Sequence, residues 1–293
     1  IEFIRGRLQP QSTLTATTDQ FLMTAGSQQG IYLTMSLLIN PGDTVITEAP
    51  TFVGAFGSMQ TFQANIQGIP LDEDGLNTDA LEAYLQTDNK VKVIYVIPEF
   101  QNPSGTTMSL SRRQHLIELA EKHNFMILED LPYSDLRYEG EPMPPIYTLD
   151  PHGRTIYLGS FSKILSPMRV GWMVAPAAFI QKATASKQAI DVCTPMLTQS
   201  LIANFCQAGH LETQITLLRQ KYGAKRDTML AALDRTMPTG VDWTSPEGGM
   251  FIWLTLPNHI NATDLFHQAI DQDVAFVVGS AFYPTSYDTP HNV

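Results

Sequence analysis

Cysteine is scarce. The 293-residue chain has two, Cys193 and Cys206, neither in a CxxC pair, and no HxxxH spacing accompanies them, so the common zinc-site patterns are excluded. Two isolated thiols suit a reduced, cytoplasmic setting. Positive charge is also short: 18 Lys and Arg against 29 Asp and Glu give a net charge of −11. A nucleic-acid partner is therefore not expected, because phosphate binding needs a basic face. No apolar run reaches the roughly 18 residues of a membrane span, and no signal-peptide pattern is present, so no membrane partner is expected. Internal repeats and low-complexity tracts are missing as well.

What is present is the composition of a globular domain, 43% hydrophobic and 16% charged, and a regular alternation of short apolar runs with helical patterns. Phe21–Met23, Thr44–Thr47, Ala64–Ile69, Val91–Ile97, Phe125–Leu128, Arg154–Leu158 and Val170–Val174 read as strands. Helical patterns between them run from after Gly30 through Leu38, from near Thr51, over Asp79–Leu85 and over Arg112–His123 with Ser111 as its cap. This predicts an α/β fold with a mostly parallel, doubly wound sheet. After Pro176 long helices are expected at Ala177–Ile190, Met196–Ala208 and Glu212–Met237. Strands at Gly249–Leu256 and Val274–Val278, around a helix at Thr263–Gln272, suggest a smaller α+β domain. The expected division is 1–210 for a large domain, 211–236 for a linking helix and 237–293 for an incomplete small domain. Ile1 falls within a possible helix and Val293 shortly follows an apolar run, so the chain is expected to be part of a longer protein.

Polar residues recur where these strands end. Gly26-Ser27-Gln28 joins a strand to a helix, where free backbone N–H groups can take a phosphate, although an ordinary Ser27 N-cap fits the same residues. Phe52 follows the second strand and can stack on a planar ring or simply pack. Asn102 sits in Asn-Pro-Ser-Gly, commonly only a turn, and Asp130 follows a strand, as a helix cap would. Ser160, Ser162, Lys163 and Arg169 follow another strand. A lysine at a buried strand-to-loop junction is costly as an ammonium, whereas an amine held as a Schiff base is not. Repetition at successive strand ends points to one crevice along the carboxyl edge of the sheet.

Together, Gly26-Ser27-Gln28, Pro50-Thr51-Phe52, Asn102-Pro103-Ser104-Gly105, Asp130 with Pro132-Tyr133, Ser160-Phe161-Ser162-Lys163 and Arg169 resemble the fold-type I pyridoxal-phosphate-dependent aminotransferases of classes I and II, from Thr24 to about Tyr283. Ser162-Lys163-Ile164-Leu165-Ser166-Pro167 and Glu247-Gly248-Gly249-Met250-Phe251 are most similar to the 2-aminoadipate, kynurenine and broad-range amino-acid branch. The resemblance implies a homodimeric transaminase that moves an amino group between an L-amino acid and a 2-oxo acid by a ping-pong mechanism. It implies that Lys163 forms a Schiff base with pyridoxal 5'-phosphate and moves the substrate proton. Asp130 would face the pyridine nitrogen, and Tyr133 and Asn102 the ring oxygen, with Asn102 also reaching substrate. Phe52 would stack on the ring. Ser27, Gln28, Ser160, Ser162 and Arg169 would hold the phosphate.

Two departures stand out. Pro167-Met168-Arg169 is a residue shorter than the Ser-Pro-Gly-Leu-Arg common in that branch, so Arg169 reaches a phosphate only if its loop tightens. The arginine that binds substrate carboxylate in relatives would fall just after Val293. Two alternatives remain open. One is the effector domain of a DNA-binding regulator, similar around Thr107–Arg113 but with Glu129-Asp130-Leu131-Pro132-Tyr133 in place of that group's Asp-Asp-Tyr-Asp. The other is a cofactor-dependent lyase or synthase on the same fold.

Overall fold

The computed structural model describes residues 1–8, 16–87 and 90–293. The chain begins with α1 (Glu2–Leu8). It then alternates β1 (Phe21–Thr24), α2 (Ser27–Leu38), β2 (Thr44–Ala49), α3 (Val53–Thr61), β3 (Asn65–Asp72), β4 (Gly75–Leu76) and α4 (Thr78–Leu85). Next come β5 (Val91–Val96), α5 (Leu110–His123), β6 (Met126–Leu131), α6 (Ile146–Leu149), β7 (Thr155–Ser160) and β8 (Gly171–Val174). These strands form one eight-stranded sheet in the order β1-β8-β7-β6-β5-β2-β3-β4. The pairs β2·β3, β2·β5, β5·β6 and β6·β7 are parallel.

β8 runs against both of its neighbours, β7 and β1. Two reversals restore direction, so β1 points the same way as β7. The N-terminus of α2 therefore opens at the same sheet edge as the ends of β2, β5, β6 and β7. The mostly parallel α/β architecture agrees with the sequence reading, and a doubly wound sheet places its ligand crevice at this edge.

The central strands are buried on both faces, as parallel strands are. Val45, Val93, Tyr95, Leu128, Ile156 and Leu158 pack under α2, α3 and the later helix α7 (Ala177–Asp191). On the opposite face Ile46, Ile94 and Ile127 meet α4 and α5. Phe21, Tyr157, Trp172 and Val174 meet α1, α8 (Met196–Gln207) and the long α9 (His210–Thr236). No helix among the described residues is long and apolar enough to cross a membrane.

The helices start differently from the sequence reading in two places. α5 begins at Leu110 with Ser109, not Ser111, in the cap position. α2 is preceded by Gly26 at φ 81°, and Ser27 is its first helical residue, so Ser27 is not an N-cap and its hydroxyl stays available. The tail is less regular than expected. Of Gly249–Leu256 only β10 (Leu254–Thr255) forms a strand, paired with β9 (Asp242–Trp243). The reason is local: Gly249 adopts a left-handed φ of 77°, and its N–H bonds Leu136 O at 2.9 Å, which anchors the segment to the large sheet's crevice. Val274–Val278 is not a strand. It follows α10 (Ala262–Ile270) with no neighbouring strand to pair with among the described residues, and Val274 and Val277 stand exposed. Its apolar β-branched residues alone do not make a ladder.

Candidate active site

The carboxyl edge of the sheet closes around a cavity of about 270 Å³. It is lined by Ser27, Gln28, Phe52, Ile97, Asp130, Pro132, Tyr133, Ser160, Ser162, Lys163 and Arg169. Nearly every residue singled out from the sequence therefore meets here. Asn102 is not among the lining residues but bonds one of them, its Nδ2 donating to Tyr133 Oη at 3.3 Å.

Asp130, near the end of β6, is 3% exposed. Tyr95 Oη on the adjacent β5 donates to its Oδ2 at 3.0 Å, while Oδ1 is buried with no hydrogen-bond partner. Burial raises this carboxyl from 3.8 to about 6, opposed by the neighbouring Ser27 hydroxyl, Tyr95 and the Lys163 charge. Tyr95 itself is pushed well above its ordinary value by burial, then by Asp130, so it remains a donor.

Lys163 is half-buried in the turn after β7, its Nζ 5.4 Å from the centre of the Tyr133 ring. Burial lowers its pKa below 10.5 and Arg169 lowers it further, against the pull of Asp130. An amine of lowered basicity, facing a carboxyl of raised pKa across one cavity, is a pairing suited to covalent and proton-transfer chemistry.

The other end of the cavity is a cup for an anion. The first N–H groups of α2 have no intrahelical partner, and the Ser27 hydroxyl is buried without one. Ser160 Oγ donates to Ser162 Oγ at 2.8 Å, and Ser162 N donates to Ser160 Oγ at 3.1 Å. Arg169 donates from Nη1 to Ser162 Oγ at 2.8 Å and from Nη2 to Ala25 O at 3.2 Å. Arg169 adopts a left-handed φ of 50°, and its guanidinium lies against Gly26. Gly26 holds a φ of 81°, which favours glycine, and a Cβ there would fall 2.5 Å from Arg169 Nη2, so any side chain would displace the guanidinium. Gln28 reaches elsewhere, its side chain donating to Gly54 O and Ser58 Oγ on α3; its backbone N–H is what it offers the cup.

Three neighbours escaped the sequence reading. Tyr95 looks like one more core aromatic in an apolar run. The register, which the folded sheet supplies, reveals its role: Tyr95 pairs with Leu128, and Asp130, two residues on, shares that face. Glu48 and Gln101, each 1% exposed, lie beneath the cavity. Burial raises Glu48 from 4.5 to about 8, with Asp130 adding to the rise and Gln101 and the Ile97 N–H opposing it.

Residues 2–288 match the family model described as aminotransferase class I and II. The chain belongs to the class I and II aminotransferase family. It is 45% identical over 267 residues to aromatic-amino-acid aminotransferase 1 of Thermococcus litoralis, which covers 89% of this chain and 64% of that relative. The chain thus spans just under two thirds of that relative's length. The solved kynurenine aminotransferase of Pyrococcus horikoshii, in complex with PMP and kynurenine, superposes with a TM-score of 0.92 at 43% identity, covering 96% of this chain and 71% of that one. LysN, the α-aminoadipate aminotransferase of Thermus thermophilus complexed with N-(5'-phosphopyridoxyl)-L-leucine, superposes with a TM-score of 0.87 at 35% identity, covering 94% and 70%.

Proposed function

We propose that the protein is a pyridoxal-phosphate-dependent transaminase that exchanges the amino group of an L-amino acid with a 2-oxo acid. The carrying observation is that Lys163 and Asp130 share one cavity with an anion cup built from Ser27, Ser160, Ser162 and Arg169. The donor set fits the cofactor. Asp130 Oδ1 and Ser27 Oγ are buried polar atoms without partners, the first suited to a protonated ring nitrogen and the second to a phosphate oxygen. When bound, the cofactor would supply an aldehyde carbon that joins an amine and a ring that takes up the electron pair left when a Cα–H bond breaks.

The chain's own residues do the rest. Lys163 Nζ would hold the cofactor and, once displaced by the incoming amine, would move the proton from the substrate Cα to the former aldehyde carbon on the other side of the shared nitrogen; its lowered basicity favours the neutral amine that this requires. Asp130 would keep the ring nitrogen protonated, with Tyr95 fixing the carboxylate's orientation. Tyr133 and Asn102 would donate to the ring oxygen. Phe52 would cover one face of the ring and exclude water from it. Arg169, the serines and the first N–H groups of α2, including that of Gln28, would bind the phosphate.

The same proposal includes a homodimer, supported by the exposed run of Ile190, Val192, Met196, Leu197 and Leu201 between 190 and 201. It includes a cytoplasmic location, supported by Cys193 and Cys206 remaining free thiols. It also includes the division into 1–210, 211–236 and 237–293, supported by the long α9 ahead of the small β9–β10 sheet. The test is transfer of ¹⁵N. The full-length protein, reconstituted with pyridoxal phosphate, is offered aromatic amino acids, kynurenine, 2-aminoadipate or leucine together with 2-oxoglutarate, and glutamate is read by mass spectrometry. Label in glutamate is expected from at least one donor; no label from any donor refutes the proposal.

A further inference from the structure

Beneath the cavity lies a polar group that the proposed chemistry does not use. The Gln101 side chain is 1% exposed and satisfied at every position. Its Nε2 donates to Glu48 Oε2 at 2.9 Å and to Pro50 O at 2.8 Å. Its Oε1 accepts from Ser104 N at 2.9 Å and Ser104 Oγ at 2.7 Å. Its backbone is held as well, with N donating to Thr106 O and O accepting from Gly105 N. Glu48 Oε2 takes a second bond from Ile97 N at 3.2 Å, at the end of β5.

These bonds tie two strand ends together. One is the end of β2, through Glu48 and Pro50, which leads into Phe52. The other is the loop after β5, through Ile97, Gln101 and Ser104, which carries Asn102. Phe52 and Ile97 line the cavity, and Asn102 bonds the hydroxyl of Tyr133, which also lines it. A leucine would fill the same space, so a fully bonded amide is not required for packing; what the amide adds is one fixed arrangement of the segments around it, as satisfied buried networks do.

We propose that Gln101, seated on Glu48, is a positioning residue that sets the Asn102 amide against Tyr133 and locks that loop to the Phe52 end of β2. This rests on the cofactor reading above. The consequence falls on the ring oxygen that Asn102 and Tyr133 would donate to. Loosening Gln101 should withdraw the Asn102 donor, and with it the stabilisation of the deprotonated chromophore.

The experiment is a pH titration of the visible absorbance of the full-length protein reconstituted with pyridoxal phosphate. It compares the parent with Gln101→Leu, Asn102→Ala and the double variant. Asn102→Ala removes a hydrogen bond to a charged group, so its titration midpoint should rise by about one pH unit. Gln101→Leu should move the midpoint in the same direction, and the double variant should go no further than Asn102→Ala. Ser104→Ala, which removes one bond from Gln101, should give a smaller rise and serves if Gln101→Leu does not fold. Midpoints of Gln101→Leu and Ser104→Ala at the parent value, whatever the change in melting temperature, overturn the proposal. A parent without a cofactor band overturns the functional reading itself and this inference with it, so the two failures are distinguishable.

Discussion

Asp130→Asn should make the cofactor-free protein more stable and the loaded protein weaker. The carboxyl is buried, and its pKa moves from 3.8 to about 6. A carboxyl raised on folding carries a penalty that is absent below the lower value, grows between the two and is complete above the higher one. The gap corresponds to about 3 kcal/mol of destabilisation at pH 8 and about half of that at pH 5. Asparagine is nearly isosteric and can still accept from Tyr95 Oη, so Asp130→Asn removes the charge and keeps the bond. The cofactor-free variant should therefore unfold at higher denaturant than the parent, by more at pH 8 than at pH 5. Cofactor affinity should fall, because a hydrogen bond to a charged group is lost. Such bonds contribute about 1.5–3 kcal/mol, or roughly 10- to 150-fold in affinity. Turnover should fall further, since a neutral amide does not hold the ring nitrogen protonated. Denaturant melts of the cofactor-free proteins at both pH values, with cofactor titration followed by absorbance, check both halves. A variant less stable than the parent at pH 8, or one that binds cofactor equally well, refutes the assignment of Asp130 as the strained anchor of the site.

Arg169→Ala removes the guanidinium that bridges Ser162 and Ala25 across the cup. It should weaken cofactor binding by about 10- to 100-fold with little change in melting temperature, measured by dialysis and reconstitution. Gly159→Ala places a Cβ 2.2 Å from the Trp172 ring and should destabilise the protein by about 1–3 kcal/mol through overpacking, read from denaturant melts. Arg113→Met should cost about 3–5 kcal/mol. Arg113 is fully buried and donates to the carbonyls of Met108, Pro98 and Pro144, beside Glu99 at 3.6 Å; its loss strips these bonds, leaving Pro98 O with Met108 N and Glu99 with Arg137 at 3.8 Å. A loss below about 1 kcal/mol would show that water reaches that cluster.

The βα alternation was legible because parallel strands buried on both faces read as apolar runs, and Val91–Val96 and Thr155–Ser160 fall close to their expected places. The direction of β1 was not legible, since it depends on pairing with β8 far along the chain. The strand expected at Val274–Val278 failed for a related reason: ladder formation is a property of a pair, and the pattern of one segment does not report its partner. The candidate residues were readable because they follow strand ends, Ser27 and Asn102 next to a glycine or proline and Lys163 in the short turn after β7. Tyr95, Glu48 and Gln101 were not, because their bonds run between strands whose register only the fold supplies. Arg169 shows the limit from the other side. Its loop is short, and only the backbone conformation at φ 50° reveals that it still reaches Gly26.

The central claim is that Lys163 is the amine that holds the cofactor. The full-length protein is reconstituted with pyridoxal phosphate, reduced with borohydride, digested and mapped by mass spectrometry, alongside Lys163→Ala. One pyridoxyl adduct is expected, on the peptide carrying Lys163, and none in the variant. An adduct on another lysine, or none on Lys163 in the reconstituted parent, contradicts it.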